Sequence, residues 1–449
     1  MSQPTLDLAQ ASAADTAAAI NEGAVSALEA CDAAIARIEA RDGAVNAVVV
    51  RDFERARAQA RHIDAERAKG TRLPLMGVPM TVKESHDVAG LPSTWGIPAF
   101  KDSPVTQDSV VVERLKRAGA VILGKTNVST GLADFQSVNA IYGRTVHPRD
   151  PARTPGGSSG GAAAALATHM VPLEIGSDIG GSIRTPAHFC GVFGLKPTYG
   201  IVPMKGHSLP GVDDPEILLA VIGPLARTAT DLEIALDVIA GPLPGSGKKL
   251  DLSAARHTRL KDYRVLVLDR HPRCVASVSV KQALNDLADA LAKEGADVRR
   301  KADIPDLDAA HVAYGKMLRT MMAQHPIDPL DWQACLEEQT RTQQAWGKVF
   351  QDIDVVLAPP FGVPAFPHND DPDWAQRQLD IDGEMTPYAV QVAWAGIATF
   401  PGLPATAVPI ATTASGLPIG VQIIANQYED RTSLAFAKLL EETGLALRP

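Results

Sequence analysis

A chain of 449 residues with a net charge of −9, 45% hydrophobic and 21% charged, has an ordinary globular composition and enough length to bury a large core. The acidic balance, with no long basic run, excludes nucleic acid and an anionic membrane surface as expected partners. No stretch approaches the roughly 20 apolar residues of a membrane helix, and the start, Met1-Ser2-Gln3-Pro4-Thr5-Leu6-Asp7, lacks a charged-then-apolar signal pattern. Cys31, Cys190, Cys274 and Cys335 are scattered without metal or disulfide spacing, so a soluble, cytoplasmic protein is expected.

The first 70 residues read as helices. Ser26 and Glu29 have capping-box spacing, and Leu28, Cys31, Ile35 and Ile38 follow as a packing stripe. From Val78 onward strands and helices alternate. Val78–Val82 is expected as a strand, Ser109–Ala118 as a helix stopped by Gly119, and Ala120–Leu123 as a strand. Gly161–Met170 reads as a helix beginning inside a glycine-serine turn. Thr230 and Glu233 suggest a second capping box, with Gly241 as the stop. Tyr263–Leu268 reads as a strand, Val280–Leu291 as a helix closed by Gly295, and Val355–Leu357 as a buried strand. Pro359–Asp373 is expected as a long surface loop. Ala405–Ile410 and Ile419–Ile424 flank Ser415-Gly416 like a hairpin, and Thr432–Glu442 reads as a last helix. The alternation predicts an α/β fold, one mixed sheet with helices on both faces.

Two serines sit in glycine-rich turns: Ser158 in Thr154-Pro155-Gly156-Gly157-Ser158-Ser159-Gly160-Gly161, and Ser182 in Gly176-Ser177-Asp178-Ile179-Gly180-Gly181-Ser182-Ile183-Arg184. Glycine lets successive backbone N–H groups turn inward, and inward N–H groups beside a hydroxyl make an oxyanion hole next to a nucleophile. The missing part is a base, for which Lys83, in Gly77-Val78-Pro79-Met80-Thr81-Val82-Lys83-Glu84, is the candidate.

Gly156-Gly157-Ser158-Ser159-Gly160 also satisfies G-x-S-x-G, the hydrolase nucleophile elbow. The elbow needs a strand before it, and Pro151 and Pro155 prevent one. Gly245-Ser246-Gly247-Lys248 lacks the first Gly and the final Ser or Thr of a phosphate loop. The eleven histidines show no metal-ligand spacing, and His86 is read as packing or pocket lining. Asp370, Asp371 and Asp373 read as solvated loop carboxylates. Neither a metal nor an organic cofactor is expected.

These motifs resemble the amidase signature family. The resemblance continues through Cys190-Gly191-Val192-Phe193-Gly194-Leu195-Lys196-Pro197-Thr198, Gly119-Ala120-Val121-Ile122-Leu123-Gly124-Lys125-Thr126-Asn127 and Pro401-Gly402-Leu403-Pro404-Ala405, and is weakest across about Pro242–Tyr388. It implies a single α/β/α domain around a twisted mixed sheet, spanning 1–449. A helical segment to about 70 would precede a catalytic core over 71–241, a substrate-selecting region over 242–400 and terminal strands and helix over 401–449. The resemblance implies Ser182 as the nucleophile, Ser158 as a bridging serine beside a cis peptide, and Lys83 as the base. It implies an oxyanion hole at Ile179, Gly180 and Gly181. Ser159, Ser177, Asp178 and Arg184 are expected as supports, with Asp178 and Arg184 pairing. Lys83 must be neutral to act, which burial away from a carboxylate partner would favour. Two departures from the family pattern are Ile179, where many members carry Thr, and Glu84-Ser85, where many carry Asp-Asn.

The implied activity is hydrolysis of a small-molecule amide, with esters and carbamates open to the same relay. The alternative is the glutaminase subunit of a tRNA-dependent amidotransferase, which works in a complex. Arg377 is the sole arginine between Ile353 and Pro401, where a carboxylate-binding residue would be sought, and this favours the stand-alone enzyme. Leu132–Gln136, Trp95 and Trp394 are expected to line the pocket. The assembly state is left open, a homodimer included.

Overall fold

Short Val-, Ile- and Leu-rich runs, bounded by glycine and proline, form the strands of one large sheet. In the computed structural model, which describes residues 6–212, 217–322, 326–374 and 376–448, this sheet has eleven strands. They are β1 (Val48–Arg51), β2 (Pro79–Lys83), β3 (Val121–Thr126), β4 (Leu173–Asp178), β5 (Phe193–Lys196), β6 (Val221–Ala226), β7 (Arg264–Val267), β8 (Asp297–Arg299), β9 (Val355–Ala358), β10 (Ala405–Thr412) and β11 (Pro418–Ile424). The spatial order is β1-β3-β2-β4-β6-β5-β10-β11-β9-β7-β8. The β3-β2-β4 and β9-β7-β8 neighbours are parallel and the rest antiparallel, which makes the sheet mixed.

Helices cover both faces, and the two-residue period of a strand decides which core each side chain joins. Met80, Val82 and Ile122 pack on one face with the helices Ala13–Glu22, Val110–Arg117 and Ala229–Ile239. Val121 and Leu123 pack on the other with Ala27–Arg41 and Gly160–Ala167. Lys83 has the parity opposite to Val82, so it points to the side covered by Gly160–Ala167.

Sequence and structure differ in places. The N-terminal 70 residues include a strand, β1, which forms the sheet edge against β3. The helix after β6 is capped by Thr228 rather than Thr230: its hydroxyl accepts from Asp231 N–H at 3.1 Å. Asp231 in turn accepts from the N–H groups of Ala13 and Ala14, so tertiary contact sets that helix start. Most other elements begin or end one to three residues from their expected bounds. The Ala405–Thr412/Pro418–Ile424 hairpin forms as expected; 359–373 contains no helix or strand, but it is not all surface, because Phe361, Val363, Ala365 and Phe366 are buried in a hydrophobic cluster.

Candidate active site

Lys83 is the last residue of β2 and is fully buried. Its Nζ donates to Ser158 Oγ at 2.7 Å and to Ser177 Oγ at 2.9 Å. Ser158 follows a cis Gly157–Ser158 peptide and Ser177 lies in β4, so sheet and turn meet at one ammonium. Ser159 N–H donates to Ser182 C=O at 3.1 Å, and Ser159 Oγ donates to Ser177 C=O at 3.4 Å, locking the two serine turns together. Gly157 must be glycine: a Cβ there would stand 2.4 Å from Asp134 O and 2.5 Å from Gln136 O. Gly157→Ala is expected to destabilise the fold by about 3 kcal/mol, and an unchanged thermal midpoint would contradict that packing.

Burial is the dominant influence on Lys83 and pulls its ammonium down to about 7, against Asp178 and Glu174, which favour the charged form. The expected absence of carboxylates around the lysine is therefore corrected. Neither is a free counter-ion. Burial pushes Glu174 up to about 8, so it is mostly uncharged at neutral pH. Asp178 is also buried, but Arg184 more than offsets this and draws its carboxyl to about 2. Arg184 grips Asp178 through Nη2–Oδ1 at 2.9 Å and Nε–Oδ2 at 3.1 Å. It also donates to Gln422 Oε1 and Thr399 Oγ1, each at 2.7 Å, tying the Ser182 turn to β11 and to the helix Val392–Thr399.

Gly181, with φ +101°, gives its N–H to Asp178 Oδ1 at 2.9 Å. Its N–H is thus committed to the turn. Among the described residues nothing accepts from the Ile179 or Gly180 N–H, so these two remain available to a ligand oxygen. Tyr314 OH donates to Ile179 C=O at 2.6 Å and holds that peptide in place. Nothing local in the sequence marks Tyr314: it sits in an ordinary packing stripe with Ala310, Ala313 and Met317.

Two chambers open onto Ser182. One, of about 500 Å³, is bordered by Ser158, Ser177, Trp95 and His207. The other, of about 420 Å³, is bordered by Gly180, Phe135 and Trp374. Ser182, Ile179, Leu132, Ala133 and Met322 belong to both. Glu84 accepts from Thr94 N–H and Trp95 N–H at 2.8 and 2.9 Å, and Ser85 Oγ is 2.9 Å from His207 Nε2. The Glu84-Ser85 pair thus sets one chamber wall. Of the expected lining residues, Trp95 and Leu132–Phe135 are there, whereas Gln136 bonds the Asn369 backbone instead. Trp394 is also displaced from the expected lining. It is wholly buried in a separate hydrophobic cluster, and Val392, on another face of the same helix, reaches the chamber. Arg377 is paired with Asp134 at 2.6 Å. His86 is buried against the His207 ring at 4.7 Å, a packing position.

The sequence model of the family described as Amidase matches residues 29–327 and 316–434. The chain belongs to the amidase signature family. It is a hydrolase of amide C–N bonds. Indoleacetamide hydrolase of Bradyrhizobium diazoefficiens is 33% identical over 96% of this chain and 86% of its own length. A glutamyl-tRNA(Gln) amidotransferase subunit of Deinococcus deserti is 32% identical over 87% of this chain and 88% of its own. A solved structure described as a vestigial protein complex that reveals the evolutionary origins of an s-triazine catabolic enzyme superposes with a TM-score of 0.86. It is 30% identical and covers 98% of this chain and 100% of that one. Among this amidase's described residues, no helix is long and apolar enough to cross a membrane.

Proposed function

We propose that this amidase works as one catalytic unit over its length and cleaves a small-molecule amide through an acyl ester on Ser182. The observation that carries the reading is the buried Lys83, depressed to about 7 and bonded to Ser158 at 2.7 Å. Neutral Lys83 takes the Ser158 proton while Ser158 takes that of Ser182, and Ser182 Oγ attacks the carbonyl carbon. The resulting oxyanion accepts from the Ile179 and Gly180 N–H groups. On collapse the C–N bond breaks and the proton returns through Ser158 to the departing amine. Water, deprotonated by the same route, then hydrolyses the ester. Asp178, Arg184, Ser177, Ser159 and Gly181 hold the geometry.

The apolar chamber walls suit aryl or alkyl amides. The four cysteines are free and buried, which supports a reducing, cytoplasmic setting. The similarity to an amidotransferase component keeps the glutaminase reading as the second one; Arg377 is engaged by Asp134 rather than presented to a substrate, so that residue does not support it. The purified chain alone is expected to release amine from simple aryl amides. Activity confined to glutamine, and only with partner subunits, would favour the second reading.

A further inference from the structure

The two chambers are not equivalent. The departing amine must collect its proton from Ser158, which borders only the larger chamber, so the acyl half of the substrate occupies the other. Along that acyl chamber runs the helix Leu307–Met321, which presents His311, Gly315 and Arg319 at i, i+4 and i+8 on one face. Gly315 lies beside the guanidinium: a Cβ there would stand 3.5 Å from Arg319 Nη1, in ordinary van der Waals contact. The carboxylate bordering this chamber, Asp134, is already held by Arg377 Nη1 and Tyr388 OH, each at 2.6 Å. Arg319 is exposed at the chamber and, among the described residues, pairs with no carboxylate. His311 beside it has a buried Nδ1 without a partner. An apolar chamber with aromatic walls therefore carries one unmatched cation along its side.

We infer that the acyl half of the substrate is an apolar body ending in a carboxylate, and that Arg319 binds this carboxylate. The inference rests on the acyl-ester reading of Ser182. It makes Arg319 a specificity residue that never touches the reacting atoms. Arginine suits the task because its planar fork matches a carboxylate and keeps its charge at every working pH.

The test compares 4-nitroanilides of succinic, glutaric and adipic acid, each with one free carboxylate, against anilides of neutral acyl chains of matching length. The wild-type enzyme is expected to favour at least one carboxylated member by about tenfold in kcat/KM. The preference should lie mainly in KM and shrink as salt is raised, because Arg319 is exposed. In Arg319→Leu the ratio is expected to fall to about one, and Arg319→Lys should keep part of it. The free dicarboxylates should slow fluorophosphonate labelling of Ser182 in the wild type but not in Arg319→Leu, a readout that needs no turnover. Absence of preference and protection at every chain length, or a preference that survives Arg319→Leu, would overturn the inference. Failure of Ser182 to label at all would take down the relay with it, whereas normal labelling with charge-blind kinetics would remove the Arg319 assignment alone.

Discussion

Replacing Ser182 with alanine is expected to lower amide turnover by about four orders of magnitude or more and to abolish the acyl-enzyme. The substitution removes one oxygen from a turn whose shape is set by other groups. Gly181 N–H and the Arg184 side chain hold Asp178, and Ser159 N–H holds the Ser182 carbonyl. The fold should therefore survive, with a thermal midpoint close to wild type. Turnover and midpoint measured on the same preparation check this. Wild-type turnover in Ser182→Ala would contradict the mechanism.

Lys83→Ala is the second large effect, a loss of about 10³-fold or more near neutral pH. The lysine acts as a base only when neutral, and burial brings its ammonium down to about 7. The sign follows: below 7 the ammonium dominates and wild-type kcat/KM should fall about tenfold per pH unit, and above 7 it should level off. That rising limb should vanish in Lys83→Ala. Lys83→Met separates catalysis from folding, since it fills the same space without burying a charge. It is expected to be as inactive as the alanine variant yet at least as stable as wild type. A wild-type profile flat between pH 5 and 8, or near-normal rates in either variant, would point to another base.

Much of this site was legible in the sequence because its parts are local. The glycine-serine turns announce tight backbone: Gly157 passes against the backbone of Asp134 and Gln136, and Gly181 adopts φ +101°. Lys83 stands out as the base that the two serine turns still require and by the family resemblance, and it bonds Ser158 and Ser177. The large mixed sheet followed from the alternation of strand and helix patterns. What the sequence hid was tertiary. β1 is short and edge-bound, so its run within a helical stretch carried too little period to stand out. Trp394 and Val392 differ only in which helix face they occupy, and packing decides that face. Tyr314 and Arg319 lie far along the chain from Ser182, and Glu174 reads in the sequence as one more residue of a strand. Their roles arise from what surrounds them, and no spacing encodes that.

The most direct test is fluorophosphonate labelling followed by peptide mapping in wild type and Lys83→Ala. The relay predicts one adduct, on Ser182, formed readily in the wild type and scarcely in the variant. An adduct on Ser158 or Ser159 that forms equally well without Lys83 would contradict it.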